Sequence, residues 1–519
     1  MTLLTDRSLS RRRFLGSAAA GTAALSMTPF FGARAQAATP KKGGTLRYGV
    51  GHGSTADTLN PGIFDNNFTI ATDYTMHNHI GEVTADGELV GEIAESWEAS
   101  PDVKQWVFKI RQGVEFHNGK PVTPQDVIAS IDYHRREGSA SVGGALVEQI
   151  VNMRVDGQNV VIDLEAGNAD FPYIMSNFHF PILPSEDGEI DWKNGIGCGP
   201  YKLDSWQPGV GAEFSRFDNY WKTDRAHFDS IQLVAVIDAA ARNAALMSGT
   251  VDLIDRVDLK TAARMDSVPN IDVLSIPGLQ HYTFPMLTDQ GPFDDANVRL
   301  ALKYACPRQE MVDKILFGHG SVGNDQPIAG PVPYSADLEQ RAYDPDKARF
   351  HLKQAGLRSL DVALHSSEAA FGGAVDAASL YAERARDAGI NIDVVREPND
   401  GYWTDVWMKK PWCACYWSGR PTVDDQLSIG YMPNAAWNDT NWTNERFVTL
   451  VREGRAELDP TKRAEVYFEA QQILSDDGGV VIPMFANYVF AKSKKLAHGD
   501  IAKNTDMDGQ KFAERWWFA

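Results

Sequence analysis

The sequence predicts a globular protein that mixes strands with helices and divides into two or three lobes. Its 519 residues exceed what one hydrophobic core usually supports, and 43% apolar with 23% charged residues is an ordinary globular composition. Residues 43–50 alternate between flanking glycines as a strand does, and Trp106, Phe108 and Ile110 alternate with polar residues. Thr123, followed by Pro124 and then by Asp126 three residues after the cap, is typical of a helix start.

The first residues read as an export signal outside this fold. Residues 10–15, Ser-Arg-Arg-Arg-Phe-Leu, form a twin-arginine pattern, and an Ala-rich apolar run follows as far as Phe31. Small residues suited to cleavage lie near Ala35 or Ala37, and the interrupted run is too short for a permanent membrane span. We therefore expect twin-arginine export to the periplasm and removal of residues 1–37. The alternative is a basic tail that remains attached.

The charge balance argues against nucleic acid as a partner. The whole chain carries a formal net charge of −19. Residues 1–37 hold five arginines and one aspartate, a net +4, so the remainder carries −23. Such an acidic body repels a phosphate backbone.

Neither a disulfide scaffold nor a cofactor is predicted. The chain has four cysteines, which is too few for a disulfide framework even though export permits disulfides. Cys413 and Cys415 would face the same side of one strand, a geometry that does not favour a bridge between them. There is no C-x-x-C or H-E-x-x-H motif, and the His77-Asn78-His79 triplet stands alone, so we expect no metal.

The stretch 413–425 is the strongest candidate for a binding site. It reads as a short strand that breaks at Gly419 and Pro421 and places Arg420, Asp424 and Asp425 on a loop. An Arg fork can hold a carboxylate and a carboxylate can hold an ammonium, which are the two ends of an amino acid or peptide. The alternative is an exposed turn whose charges pair with one another.

Aromatic residues are concentrated around this stretch. Six of the 13 tryptophans fall between residues 403 and 442. Aromatic walls with a few polar anchors are typical of ligand cavities, so we expect Trp403, Trp417 and Trp437 to line one. The spacing of Trp403 and Trp407 is also that of a helix face, so some of these rings are expected in the core.

Several blocks in order carry a family resemblance. They are residues 93–97 (Ile-Ala-Glu-Ser-Trp), 109–127 (Lys-Ile-Arg-Gln-Gly-Val-Glu-Phe-His-Asn-Gly-Lys-Pro-Val-Thr-Pro-Gln-Asp-Val), 197–203 (Gly-Cys-Gly-Pro-Tyr-Lys-Leu), 219–221, 240–252, 292–302 and 343–348. The chain resembles the extracytoplasmic solute-binding proteins of family 5, the peptide, oligopeptide and nickel binders of ABC importers. It departs from them at Cys198, where relatives carry Thr, and at Cys306-Pro307, where they carry Ile-Asp or Ile-Asn.

The resemblance implies an α/β periplasmic-binding-protein-like type II fold (cluster C), with two hinged lobes and an extra inserted domain. Lobe I would comprise residues 39–82, 199–286 and 496–519, the inserted domain residues 83–198, and lobe II residues 287–495. The chain would cross between the lobes near 286 and 495. Expected partners are a small solute and the membrane permease subunits of the importer.

The resemblance also suggests which residues contact the ligand. In peptide-binding relatives an acidic residue of the lobe II loop captures the ligand's amino terminus, which implies Asp424 or Asp425 here. The added Arg420 favours a carboxylate-bearing or zwitterionic ligand. Relatives often carry an Asp-Tyr-Pro-Asp-Pro-Asp type of loop, and its absence here argues against an ordinary oligopeptide. Relatives also line the ligand from two further regions, which here hold Asn60, Phe64 and Asn67, and His281 and Tyr282.

The function predicted from these observations is that of a non-catalytic protein that delivers a dipeptide, an oligopeptide or a related amino-acid derivative. An opine or oligosaccharide remains an alternative ligand. An exported hydrolase is the alternative of another class. The chain has no G-x-S-x-G or zinc motif, and Asp424 and Asp425 are adjacent rather than placed across a cleft as in glycosidases.

Overall fold

A computed structural model describes residues 40–139, 141–399, 401–433, 435 and 437–519. The predicted signal segment, residues 1–37, lies outside these described residues. Within them, the strands sort into three main sheets, one for each proposed lobe or domain. The capped helix predicted at Thr123 is confirmed as Pro124–Asp132, in which Asp126 also accepts from the backbone N–H of Thr123 at 3.0 Å.

Lobe I is built on a mixed seven-stranded sheet. Thr45–Val50 confirms the strand predicted over residues 43–50 and pairs in parallel with two neighbours. The strand order is Tyr201–Gln207, Gly211–Arg216, Ser230–Ala235, Thr45–Val50, Leu253–Ile254, Tyr488–Ser493, Ile271–Ile276. Its helical segments are Pro61–Ile63, Asn67–Met76, Ala239–Ser248, Leu259–Asp266, Asp506–Gly509 and Phe512–Arg515, and a hairpin joins Leu496–Ala497 to Trp517–Phe518.

The inserted domain has an antiparallel four-stranded sheet of its own. The predicted alternation at Trp106, Phe108 and Ile110 is confirmed, since all three are buried in the strand Gln105–Ile110. The strand order is Ala94–Ala99, Gln105–Ile110, Asn159–Leu164, Ile150–Asp156. Hairpins pair Gly81–Val83 with Leu89–Gly91 and Ser185–Glu186 with Glu189–Ile190, and the helices are Pro124–Asp132, Gly144–Val147 and Phe171–Ile174.

Lobe II combines an antiparallel four-stranded sheet with a parallel pair and half of the helical segments in the described residues. The sheet order is Gly320–Val322, Val480–Ala486, His281–Pro285, Cys415–Trp417, and the parallel pair is Leu360–Ser366 with Ile390–Arg396. Its helices are Ala296–Tyr304, Arg308–Lys314, Pro345–Gln354, Ala374–Ala385, Arg386–Ala388, Tyr402–Asp405, Val423–Tyr431, Glu445–Ala456 and Pro460–Asp477.

A buried charge network ties the inserted domain to lobe I. Lys222 donates to Glu92 at 2.6 Å and to Glu514 at 3.0 Å, and Lys511 donates to Glu92 at 2.7 Å. Burial alone would raise the pKa of Glu92, but the two lysine ammoniums outweigh it and hold that pKa at about 2. The carboxylates of this network are therefore ionised and paired.

The crossings between the lobes lie earlier than predicted. His281–Pro285 pairs with strands of the lobe II sheet, so the first crossing precedes residue 281 instead of lying near 286. Tyr488–Ser493 pairs with strands of the lobe I sheet, so the second crossing lies at Asn487 instead of near 495. The backbone N–H of Ala486 donates to Gln280 O at 2.8 Å, and the two crossings therefore run side by side.

Close contact at these crossings requires glycine at position 278. A Cβ built there would overlap the ring of Tyr488, whose hydroxyl donates to Ser418 O at 3.0 Å. We expect Gly278→Ala to lower the free energy of unfolding by about 1 to 3 kcal/mol, because overpacking forces a ring or backbone shift.

Urea unfolding measures this effect, with Gly330→Ala as the control. A Cβ at Gly330 would meet no atom within 4 Å, so that change should stay within about 0.5 kcal/mol of wild type. Equal stabilities for both variants would contradict the role assigned to Gly278.

Candidate functional site

Two adjoining cavities lie between the lobes. The aromatic cavity has a volume of about 640 Å³ and is lined by Trp403, Trp407, Trp417 and Trp437. The charged cavity has a volume of about 720 Å³ and is lined by Arg256, Lys260, Asp376 and Asp506 among others. His52, Asn67, Tyr416 and Thr505 line both, so the two spaces share a wall.

The stretch predicted as the binding site does reach the aromatic cavity. The strand Cys415–Trp417 ends before Gly419, whose φ of +78° favours glycine and where a Cβ would also overlap Leu279. The chain then turns at Pro421. Trp417, Ser418, Gly419, Arg420, Pro421 and Asp425 all line this cavity.

Asp424 and Asp425 lie in a helix, and the prediction that they stand on a loop is wrong. Thr422 caps the helix Val423–Tyr431 by accepting a hydrogen bond from the Asp425 N–H at 3.2 Å. Serine or threonine followed three residues later by an acidic residue is a known helix-start pattern, so the signal was present in the sequence. Both carboxylates lie in the first turn, where a helix dipole favours negative charge.

The two aspartates point to different partners. The oxygens of Asp424 each lie 3.0 Å from Nε of Arg455, and one also accepts from Ser428 Oγ at 3.0 Å. Asp424 is thus committed to a structural pair and does not line either cavity. Of the two, Asp425 faces the aromatic cavity.

Arg420, which is half-buried, and the buried Asp425 form a pair that is only partly satisfied. Nε of Arg420 lies 3.9 Å from Oδ2 of Asp425, beyond hydrogen-bond distance. Within the described part of the chain, neither Nε of Arg420 nor Oδ1 of Asp425 has a hydrogen-bond partner. Burial raises the pKa of Asp425 to about 6, against the opposing charge of Arg420 and with the support of Asp424 and Asp170.

The guanidinium of Arg420 and the carboxylate of Asp425 both lie at the cavity wall, although the unpaired Nε and Oδ1 atoms are themselves covered. A carboxylate can accept an ammonium, and the guanidinium can donate to a carboxylate through two parallel bonds. A ligand that carries both charges can satisfy both buried groups at once.

The tryptophans divide between the cavity and the core. Trp403, Trp407, Trp437 and Trp417 follow one another in edge-to-face contacts, with ring centroids 5.7 to 6.4 Å apart. Trp412 and Trp442 are buried instead, and their indole nitrogens donate to Phe284 O and Asp477 Oδ2. Trp412 and Trp442 are therefore core rings, as expected for some of the six. Trp403, Trp417 and Trp437, which were predicted to line a cavity, do line the aromatic cavity.

Two of the three ligand contacts predicted in residues 60–67 of lobe I line a cavity, and the third does not. Phe64 lines the aromatic cavity, and Asn67 lines both cavities while donating to Asp255 Oδ2 at 3.0 Å. Asn60 lines neither, because its side chain accepts from the Gly62 N–H and the Tyr133 hydroxyl, each at 2.9 Å. Asn60 is a cap for the short helix Pro61–Ile63 instead of a ligand contact.

Of the two predicted ligand contacts on the strand His281–Pro285, only Tyr282 lines a cavity. Tyr282 lines the charged cavity and stacks on Phe371 with centroids 4.1 Å apart. His281 is fully buried and lines neither cavity, and its Nδ1 lies 3.2 Å from Leu279 O. Burial lowers its pKa to about 4, so His281 is a neutral core residue instead of the predicted ligand contact.

Sequence reasoning missed the residues that reach the aromatic cavity from elsewhere in the chain. Tyr173, Phe178 and His179 enter from the inserted domain, and Lys511 from the C-terminal segment. The aromatic run of residues 178–180 was the available signal, but nothing local indicates which cavity it faces. Lobe II also contacts the inserted domain directly, because Arg463 of lobe II donates to Asp170 at 2.7 Å.

One cluster of described carboxylates has the spacing of a cation site. Oxygens of Glu82, Glu92 and Glu514 lie within 4.8 Å of one another. The ammonium groups of Lys222 and Lys511 already contact these oxygens, so the cluster is an internal ion network. His77, from the isolated triplet, pairs with Asp73 at 2.9 Å.

Among the helices in the described residues, none combines the length and apolar character that a membrane crossing requires.

Comparisons with known proteins agree with this architecture. The model of the bacterial extracellular solute-binding proteins, family 5, matches residues 88–439. The dipeptide-binding protein of Escherichia coli K12 is 26% identical over 469 residues, which cover 82% of this chain and 86% of that protein.

Solved structures share the fold. DppA of Helicobacter pylori, in complex with the peptide STSA, gives a TM-score of 0.79 at 18% identity and covers 92% of this chain and 98% of its own. AgaA of A. tumefaciens R10, in complex with agropinic acid, gives 0.79 at 21% identity, with 92% and 99% covered. The predicted α/β, two-lobed type II fold is confirmed.

The perturbed pKa of Asp425 predicts an unusual pH dependence of stability. The folded pKa lies near 6 and above the ordinary value, so the native state binds more protons between about pH 4 and pH 6, and stability falls as pH rises through that window. We expect Asp425→Asn, which removes the buried charge, to be more stable than wild type by about 1 to 3 kcal/mol near pH 7.5.

Urea unfolding near pH 7.5 and near pH 4 measures this difference, which should shrink at the lower pH. Asp424→Asn is the matched neighbour and should destabilise the protein near pH 7.5, because it leaves Arg455 without its counter-charge. A stability gain for Asp425→Asn that is the same at both pH values would contradict the assignment.

Proposed function

Because the chain belongs to family 5 of the bacterial extracellular solute-binding proteins, we propose that it captures a dipeptide, an oligopeptide or a related amino-acid derivative between its lobes. It is a solute-binding component that works with the permease of an ABC importer. The proposed ligand occupies the aromatic cavity, with its charged groups on Arg420 and Asp425.

The observation that carries this proposal is the incomplete Arg420–Asp425 pair. Leaving a buried donor and a buried acceptor without partners costs free energy, typically about 1 to 3 kcal/mol for each group. A zwitterionic ligand recovers that cost by bonding to both groups.

The aromatic wall supports the same assignment. Four indole rings and Tyr416 supply apolar surface, while the charged anchors stand at the end nearest the helix Val423–Tyr431. Large rigid rings accept apolar groups of different shapes. Of the remaining predicted contacts, Phe64 and Asn67 complete the proposed lining, while Tyr282 lines the adjoining charged cavity.

Release of the ligand unchanged is part of the proposal. The Ser-Gly-Arg-Pro turn offers binding groups, and the proposed role needs no catalytic residue. Closure around the solute gives the permease a conformation to recognise, because the ligand favours the state that it binds better. We also propose periplasmic delivery by the twin-arginine route, which rests on residues 10–15.

A second candidate ligand is an opine, or another solute with an amine and a carboxylate attached to one carbon. The charges of Arg420 and Asp425 lie only 3.9 Å apart. In a dipeptide the amine and the carboxylate are borne by different residues, whereas this second candidate carries both on one carbon. Neighbouring protein charges suit neighbouring ligand charges. AgaA, a neighbour of the same fold, has been solved with agropinic acid.

A thermal-shift screen of dipeptides, opines, polyamines and oligosaccharides tests the proposal, because a specific ligand raises the melting temperature by mass action. We expect a dipeptide or an opine to give the largest rise. A rise with oligosaccharides alone, or catalytic turnover of a bound peptide, would contradict the assigned function.

The anchor is tested by calorimetry with the strongest zwitterion of that screen. We expect Arg420→Ala to weaken its binding by about 2 to 5 kcal/mol, because the substitution leaves a buried charge unpaired. Arg446→Ala is the control, since Arg446 pairs with Glu469 on the surface, and its affinity should match wild type. Unchanged affinity for Arg420→Ala would remove Arg420 from the site.

A further inference from the structure

A buried carboxylate lies behind the tryptophan wall of the aromatic cavity. Asp439 is 2% exposed, and its Oδ2 accepts from Nε1 of Trp407 at 3.1 Å and from Nε1 of Trp417 at 3.3 Å. Its second oxygen, Oδ1, is buried and has no hydrogen-bond partner among the described residues.

The charge of Asp439 has no nearby counter-charge. In the part of the chain that the structure covers, no Lys, Arg or His nitrogen forms an ion pair with it within the 4.0 Å limit for such pairs. Burying a carboxylate without a cation is costly, and replacing such groups by apolar ones is often neutral or stabilising. Stability alone therefore gives no reason for an acid at this position.

The hydrogen bonds of Asp439 fix the arrangement of three rings. Trp437 packs edge-on against both partners of Asp439, with centroids 6.4 Å from Trp407 and 5.9 Å from Trp417. One oxygen that binds both indole N–H groups sets the separation and tilt of Trp407 and Trp417. The separation and tilt of these two rings determine the space that Trp437 fills and the indole surface that faces the aromatic cavity.

We propose that Asp439 is a positioning residue that sets the tryptophan wall and thereby selects the apolar group that the aromatic cavity accepts. The effect on ligand choice rests on the proposed function, whereas the effect on the rings does not. The hydrogen bonds between Asp439 and the two indoles are present without any solute.

The same geometry makes the wall sensitive to pH. A carboxylate accepts N–H bonds more strongly than the protonated acid. Burial raises the pKa of Asp439 to about 6, although the two indole N–H groups oppose that rise. The wall is therefore held more firmly above this pH than below it.

Three titratable groups face Asp439 in the described part of the chain. Cys415 faces Asp439 from the strand Cys415–Trp417, Cys413 faces it from the segment just before that strand, and Tyr431 faces it from the helix Val423–Tyr431. Burial raises the pKa of each of these three groups, so all of them stay neutral near pH 6. Asp425 does titrate near pH 6 at the same cavity and must be controlled separately.

Near-ultraviolet circular dichroism and tryptophan fluorescence of the ligand-free protein test the ring arrangement. Between about pH 4.5 and about pH 8, we expect a step centred near pH 6 in wild type. Asp439→Asn keeps one carbonyl acceptor for the indoles but cannot titrate, so the step should disappear. Asp425→Asn should retain it. A step that persists unchanged in Asp439→Asn, or its absence from wild type, would overturn the proposal.

Ligand choice is tested by calorimetry with two probes, the dipeptides Gly-Phe and Gly-Ala. Asp439→Asn should change the ratio of their affinities at about pH 7.5 by about tenfold, because the rings contact the larger side chain. A merely structural effect would weaken both probes equally and would overturn the selective role. If neither dipeptide binds wild type, the proposed peptide ligand fails, while the spectroscopic titration still decides the role of Asp439.

Discussion

The cap at Thr422 is the constraint on which the binding site depends. It fixes the start of the helix Val423–Tyr431, and successive residues of a helix point about 100° apart. Asp424 is thereby turned to Arg455 and Asp425 to the cavity, although the two are neighbours in sequence. One acid satisfies a structural cation, and the other stays available for a ligand. A loop would not enforce this division.

The buried network around Glu92 serves a different purpose from the Arg420–Asp425 pair. Its lysines and glutamates satisfy one another, and it joins the inserted domain to lobe I as a fixed wall. Lys511 and Glu82 belong both to that network and to the lining of the aromatic cavity. The opposite wall, in lobe II, carries the unsatisfied pair and the indoles held by Asp439. A satisfied wall thus faces one that a ligand can complete.

The sequence predicted those features that depend on residues close together in the chain. The cap at Thr123, the strand at residues 45–50 and the closeness of Arg420 to Asp425 follow from short-range geometry. The lobe crossings were misplaced because an apolar alternating strand does not reveal which sheet it joins. Asp439 and His179 were missed because their roles depend on partners far along the chain. His281 was misassigned since burial, which the sequence does not give, decides whether a histidine packs or binds.

We propose that a zwitterionic solute bridges Arg420 and Asp425 between the two lobes. A crystal structure of the complex with the tightest-binding solute tests it most directly. We expect a ligand carboxylate within hydrogen-bond distance of the Arg420 guanidinium, a ligand amine on Asp425, and the apolar part of the ligand against Trp417 and Trp437. A ligand bound outside the aromatic cavity, with the Arg420–Asp425 pair left unsatisfied, would contradict it.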